Sequence, residues 1–452
     1  MSKKIIGVLK YVSLFIILIV IFNLLLYLAC SFDSEKIEKN VKESADILAK
    51  QGILYKLTYT FDVTNNNSTD TVIMNESYSV DSNDPFTSYM KARKNYKKGQ
   101  TDYQLLETTG EGVTVHYNEE TQEDEATFYE PTIELNDFLD GKIHHSVNYG
   151  RYWHGYLILY RPLLLIFNVL QIRTFTLYIF VLLFAYFLYL LKKRFSTSIM
   201  VIYGMSLICS GYFSASYSLE STPIYLVMMI SSIIYLKRLD KMKNMGLYIF
   251  AIGCIANYVD YLTVPLITLA VPCSLYLLKM IEQEEDWKTC VKFLIKCSIL
   301  WVTGYALTWF TKWLLYDIFI NDGKSMIKIG FTQSFYRTTR VNAEVGTEKS
   351  YINAIINIIG KVSFYTIITA GIIMWINKFK INVKEINKST VVFIIISLYS
   401  IIWYVVLANH TLLHGYFTYR QSLLFMLGIL LFVNQLFVNS DNKKKRSKKS
   451  VK

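Results

Sequence analysis

STDTVIMNESYSVDSNDP, residues 68–85, lies inside a polar stretch, residues 31–150, that follows one apolar segment and precedes almost nothing but apolar ones. That stretch holds 22 of the chain's 35 carboxylates. Its local patterning is that of a folded unit. Asp70 stands at the mouth of a helical segment through Val72-Ile73-Met74, and Asp84-Pro85 reads as a helix start with Asp84 as N-cap and Pro85 in the first turn, expected to run to Gly99. Further out, residues 35–50 (EKIEKNVKESADILAK) set Ile37, Val41, Ala45 and Leu48 at helical spacing, an amphipathic helix resting on the membrane or on the protein. Tyr55, Leu57, Tyr59 and Phe61 alternate as in a short strand, and Asn65-Asn66-Asn67 reads as a turn. Val113, Val115 and Tyr117 alternate into an acidic turn at residues 119–125, from which 126–129 returns as a hairpin. The stretch is expected to be a small α+β cap.

Outside it the chain is apolar. Hydrophobic residues make up 53% and the mean hydropathy is +0.30, and several uninterrupted apolar runs of about 17–25 residues can cross a hydrocarbon layer of about 30 Å. Residues 11–29 form the first, with the N-terminus inside; Tyr27 and the length of the run favour a retained span over a cleaved signal at Leu28-Ala29-Cys30. Residues 151–174, broken by Arg161-Pro162, are expected to be interfacial or re-entrant. Further spans are expected at 175–191, 198–217, 224–236, 245–261, 264–281, 291–319, 352–376, 390–407 and 422–438, ten with the first, followed by a basic tail at 439–452. The fold class is thus a polytopic α-helical membrane protein of about ten transmembrane helices, capped after the first. Of the five connectors on the side of the N-terminus, four are strongly basic, which places both termini in the cytoplasm, the cap outside and the protein in the cell membrane. The net charge of +12 sits in these connectors and the tail, so it marks topology and lipid headgroups rather than nucleic acid. The six cysteines show no CxxC pair and read as packing residues.

Charges at the outer ends of spans are the ones these rules leave over. Glu220 and Asp260 fall there, facing Arg151, His154, Arg161, Lys312, Arg337, Arg340, His410, His414 and Arg420. Cations on the translocated side are disfavoured without a partner, and ionisable groups at membrane depth are functional candidates. Arginine binds phosphate oxygens in bidentate fashion and lysine as a point charge, which suits a phosphate-bearing lipid with its headgroup outside. Some have plainer uses: Arg161 can snorkel, and Lys312 and His154 can anchor an aromatic belt. His410 and His414 share a helical face, yet no third ligand sits near them, so no metal is assigned. Asp70 is the preferred general base, with Glu76 second and Asp84 also a cap.

The segments around Thr69-Asp70-Thr71, Arg151-Tyr152-Trp153-His154-Gly155 and Asn409-His410 to Tyr419-Arg420, set in this architecture, resemble the GT-C superfamily and a group of bacterial membrane proteins of that kind. The resemblance implies transfer of a sugar from a polyprenyl-phosphate-linked donor to an extracytoplasmic glycan or polymer. It implies Asp70, with Glu76, as base on the acceptor hydroxyl, and Arg161, Arg337, Arg340, His414 and Arg420 around the donor phosphate. No cofactor is required, and a divalent metal is permitted. A polysaccharide polymerase or ligase is the alternative enzyme, although such enzymes place their large outer loop late in the chain. A flippase or transporter of lipid-linked sugars is the alternative of another class, and it would favour charges at mid-membrane.

Overall fold

The computed structural model describes residues 3–58, 63–96, 113–118, 123–128, 131–143, 145–238, 241–242, 244–320, 322–339, 348–377 and 388–436. Helix α1, Lys3–Cys30, leads into a 3-10 turn, Ser34–Ile37, and α2, Glu38–Gln51. The stripe expected from the sequence is the buried one: Ile37, Val41, Ala45 and Leu48 close the underside of the cap. β1 (Leu54–Thr58) and β2 (Val63–Asn66) form an antiparallel pair, and α3, Asn67–Tyr78, starts directly from β2. Asn65-Asn66-Asn67 is therefore a strand end and a helix start rather than a turn. Asn66 is the cap, its side chain accepting from Ser68 N at 2.8 Å, which frees Asp70 from that duty.

Helix α4, Pro85–Lys91, does begin at Asp84, whose side chain accepts from Thr87 N at 3.2 Å. It stops well before Gly99, because Ala92 takes a left-handed conformation (φ 44°) and the chain turns into β3, Arg93–Tyr96. The expected hairpin forms as β4 (Val113–Asn118) and β5 (Glu123–Phe128). After α5, Pro131–Leu139, strand β6, His145–Asn148, returns to pair with β3. That long-range pairing has no local sequence signal. Among the described residues the cap thus holds three two-stranded antiparallel sheets on a base of α2, α3 and α5.

Below it follow α6 (Leu157–Leu164), α7 (Val169–Arg194), α8 (Thr197–Cys209), α9 (Tyr212–Ala215), α10 (Thr222–Lys237), α11 (Met245–Val259), α12 (Ile267–Glu282), α13 (Trp287–Phe319), α14 (Met326–Thr338), α15 (Glu348–Ile376), α16 (Val391–Val406), α17 (Ala408–Leu413), α18 (Gly415–Thr418) and α19 (Leu423–Leu436). Among the described residues six helical segments are long and apolar enough to cross a membrane: Ile5–Cys30, Val169–Arg194, Trp287–Phe319, Ile352–Ile376, Lys388–Val406 and Gly415–Leu436. The other four expected spans correspond to α8, α10, α11 and α12, of 13 to 16 residues each. At about 1.5 Å per residue these reach roughly 20–24 Å, short of the full layer. The run expected at 198–217 is cut where Gly211 turns left-handed (φ 85°). The protein is an α-helical membrane protein whose shorter helices lie in its interior.

Close packing holds that interior. On α11 a Cβ at Gly253 would stand 2.3 Å from Trp301 O, and on α13 one at Gly304 would stand 2.5 Å from Phe250 O. Small residues facing each other let the two backbones touch, the usual way helices associate where lipid removes the hydrophobic drive. A second core joins cap to membrane helices, with Ile73, Met74, Tyr89 and Met90 of the cap packed among Phe22, Trp153, Tyr156, Tyr258 and Trp313.

Candidate functional site

Asp70, in the first turn of α3, is wholly buried. Its Oδ2 accepts from Arg173 Nη2 at 2.6 Å and its Oδ1 from Leu219 N at 2.9 Å. Arg173 also reaches Asn67 Oδ1 at 2.7 Å and Gln51 Oε1 at 2.9 Å. Burial pushes the Asp70 carboxyl above its ordinary value, and the Arg173 guanidinium, the Leu219 N–H and Asn65 pull it back. Both carboxylate oxygens are thus committed to pinning the cap onto α7 and the loop before α10. Wholly buried and engaged at both oxygens, Asp70 is not presented to an acceptor hydroxyl.

Glu76, two turns further along α3, is arranged otherwise. Its Oε2 accepts from Tyr156 OH and lies 3.1 Å from His154 Nδ1, while His154 Nδ1 and Tyr156 OH are 2.5 Å apart. Nε2 of His154 stands 2.8 Å from the Tyr149 carbonyl, so that nitrogen carries a hydrogen. Glu76 Oε2, His154 Nδ1 and the Tyr156 phenol thus lie within hydrogen-bond reach of one another, a buried three-way cluster. Glu76 Oε1 is buried and has no hydrogen-bond partner among the described residues. A buried carboxylate oxygen left unpaired costs about 1–3 kcal/mol. His154 itself is held at φ 56°, left-handed backbone that costs a non-glycine residue about 1–3 kcal/mol and gathers at functional sites. Its neighbour permits this: Gly155 N donates to Tyr258 O at 3.0 Å, and a Cβ there would meet that same oxygen at 2.3 Å.

Beside this cluster aromatic rings form a platform. Tyr152 stacks on Tyr261 (centroids 5.3 Å) and on Trp309 (5.9 Å), and Tyr149 lies 5.6 Å from the His154 ring and 5.9 Å from Tyr261. Two guanidinium groups flank it: Arg151 sits 4.1 Å over Tyr149 and 5.4 Å over Tyr152, and Arg337 sits 5.9 Å over Tyr152 while donating to its hydroxyl at 2.5 Å. Arg337 also donates to His410 Nδ1 at 2.8 Å, while His410 Nε2 donates to Leu262 O at the same distance. His410 is therefore the neutral Nε2–H tautomer, and burial beside Arg337 holds its pKa well below the ordinary value. The His414 ring packs 4.7 Å away, and burial with Arg337 nearby lowers its pKa to about 3. Expected as a phosphate-binding cation, His414 carries no charge at neutral pH.

The remaining candidates divide. Arg161 is buried among backbone carbonyls, donating to Ala29 O at 2.8 Å, Phe32 O at 2.7 Å and Ser77 O; it ties α1 and α3 to α6 and does not join the platform. Lys312 is likewise spent on Tyr89 O (2.9 Å) and Met90 O (3.1 Å). Asp84 caps α4 at the exposed rim, and Asp260 accepts from Thr263 N at 2.9 Å and from Tyr305 OH at 3.2 Å. Glu220 and Arg420 form a second buried group next to Asp70. Burial and the Asp70 charge raise Glu220 to about 8, with Arg420 opposing, and Arg420 Nη2 is 3.4 Å from Ser214 Oγ. Arg340 lies outside the described residues. No group of three His, Cys, Asp or Glu comes together as a metal cage among the described residues.

Arg173, Tyr149, Tyr156 and Tyr261 were not among the sequence candidates. Arg173 had a readable signal, an uncompensated arginine two residues before an expected span. The tyrosines had none, in a chain with 35 of them. No family model, curated protein or solved structure matches the chain.

Proposed function

We propose that the chain is a membrane glycosyltransferase of the GT-C kind, moving a sugar from a polyprenyl-phosphate-linked donor to an extracytoplasmic glycan or cell-surface polymer. In this reading it sits in the cell membrane with both termini cytoplasmic and the cap outside, the four shorter helices counting as passes to make ten. The observation that carries the proposal is the Glu76–His154–Tyr156 cluster, with its one unengaged carboxylate oxygen, set beside an aromatic platform flanked by Arg151 and Arg337.

The chemistry follows from those parts. The acceptor hydroxyl oxygen bonds to the anomeric carbon as the bond from that carbon to the phosphate oxygen breaks. Its proton passes to Glu76, and the electron pair leaves with the lipid phosphate. A positioned base of this kind contributes about 10²–10⁴-fold, and fixed cations are most effective where charge develops. Arg151 and Arg337 bring bidentate donors that suit phosphate oxygens, and stacked rings suit the apolar face of a sugar. Glu76, rather than Asp70, is the base in this scheme, since Asp70 is consumed by Arg173.

The test is transfer from a polyprenyl-phosphate sugar in purified membranes. Glu76→Gln should lose about 10²–10⁴-fold in turnover while the protein remains folded, and Arg337→Gln should weaken donor use. Wild-type turnover by Glu76→Gln would remove the base. Unchanged surface glycan in cells lacking the protein would remove the activity.

A further inference from the structure

Helix α14 was not expected from the sequence, and its placement is informative. It begins at the outer end of α13, where Asp317 accepts from Met326 N at 2.5 Å and from Ser325 Oγ at 2.8 Å. One turn on, Gly330 is pressed against the Trp313 ring, where a Cβ would lie 2.3 Å away. At its far end Arg337 reaches Tyr152, which stacks on Trp309. The partners on α13 thus run Asp317, Trp313, Trp309 as α14 advances, so α14 is antiparallel to α13 and travels back along it. From Phe319 to Trp309 is ten residues of helix, about 15 Å at 1.5 Å per residue. At 33 residues, α13 spans about 50 Å, more than the layer of about 30 Å requires.

The exposed side of α14 carries Lys328 near the start, then Phe331, 59% exposed with its ring edge-on to Trp313 at 5.6 Å, and Phe335, 74% exposed. The neighbouring face of α13 exposes Leu307, Phe310, Leu314 and Ile318, the side chains expected against lipid. The cap is elsewhere on α13, held by Lys312.

We propose that α14 is a re-entrant helix that descends into the outer leaflet, with Phe331 and Phe335 seated among the acyl chains and Lys328 at the headgroups. The partner of this surface is the bilayer itself. A helix satisfies its own backbone, so such a descent is permitted at membrane depth, and two buried phenylalanines offset the exposure they show in isolation. The inference is independent of glycosyl transfer. It means that Arg337 is presented to Tyr152 from the lipid side, below the membrane surface.

Nitroxide labels at Lys328→Cys, Phe331→Cys and Phe335→Cys, in protein reconstituted into phosphatidylcholine–phosphatidylglycerol vesicles, read the depth directly; labelled wild-type protein subtracts the native cysteines. Collisions with oxygen should increasingly exceed those with a water-soluble nickel chelate from 328 to 331 to 335. A flat or reversed gradient, or chelate-dominated collisions at 335, would overturn the proposal. Phe335→Trp in brominated-lipid vesicles gives a second reading that needs no label. Extra quenching over the native tryptophans supports the descent, and its absence refutes it.

Discussion

Replacing Arg173 by methionine is the sharpest probe of how this molecule is held together. The substitution keeps most of the side-chain volume and removes the guanidinium from a pair that is buried on both sides, 1% and 0% exposed. Two unit charges about 4 Å apart interact by about 4 kcal/mol at an effective dielectric of about 20. Removing one partner of a buried pair typically costs about 3–5 kcal/mol, because the other charge is left uncompensated. Arg173→Met also strands Asn67 Oδ1 and Gln51 Oε1, so the upper end of that range is expected. Asp70→Asn should cost a similar amount. The double variant Asp70→Asn/Arg173→Met leaves no buried charge there and should recover a large part of the loss, giving a coupling of about 2–3 kcal/mol, toward the top of the range for residues in contact. Thermal unfolding of the four proteins in one detergent, followed by the loss of the monodisperse peak, measures the cycle. Additive losses, or an Arg173→Met protein as stable as wild type, would refute the pinning role of Asp70.

Other consequences are checked in the same assay. Arg161→Met removes the donor to three carbonyls and should cost about 1–3 kcal/mol for each one left unmet, with earlier proteolysis of the cap. Gly253→Ala forces a Cβ onto Trp301 O and should destabilise by about 1–3 kcal/mol, while Gly360→Ala, inside α15 with nothing within 4 Å, should cost nothing and stabilise by up to about 1 kcal/mol. Glu220 and His414 bend the pH profile in opposite senses. Glu220, raised from 4.5 to about 8, contributes stability that is full below pH 4.5 and lost as pH rises through 8, so Glu220→Gln should flatten the alkaline arm. His414, lowered from 6.5 to about 3, leaves stability full above pH 6.5 and eroding as pH falls toward 3, so His414→Gln should flatten the acid arm. Unchanged arms would refute those assignments.

Periodic and punctuated features were legible in the sequence. The stripe of α2, the Asp84-Pro85 start and the β4–β5 hairpin each rest on local pattern. What escaped depends on distance. No local pattern announces that β3 will pair with β6, or that Ala92 will turn left-handed to end α4 early. The length of an apolar run also overstates a helix when a glycine such as Gly211 can cut it. The site shows the same division. His154, Arg151, Arg337 and His410 stood out as ionisable groups in the wrong place. Their pairing with Glu76, Tyr152 and one another is tertiary. Asp70 stood out and Arg173 did not, although each is the other's explanation.

The three cations that fasten the cap all lie far downstream of what they hold. Arg161 grips Ser77 across 84 positions, Arg173 grips Asp70 across 103, and Lys312 grips Tyr89 across 223. At about 5–20 residues per second of synthesis, Tyr89 waits roughly 11–45 s after leaving the ribosome before its clasp exists. The cap is synthesised early and completed last. During that interval Asp70 lacks Arg173, and Ile73 and Met74 lack the membrane helices that bury them, so a freestanding fragment of residues 31–150 should not hold the native fold. The order of synthesis thus leaves Asp70 and its neighbours unclasped until the downstream helices exist.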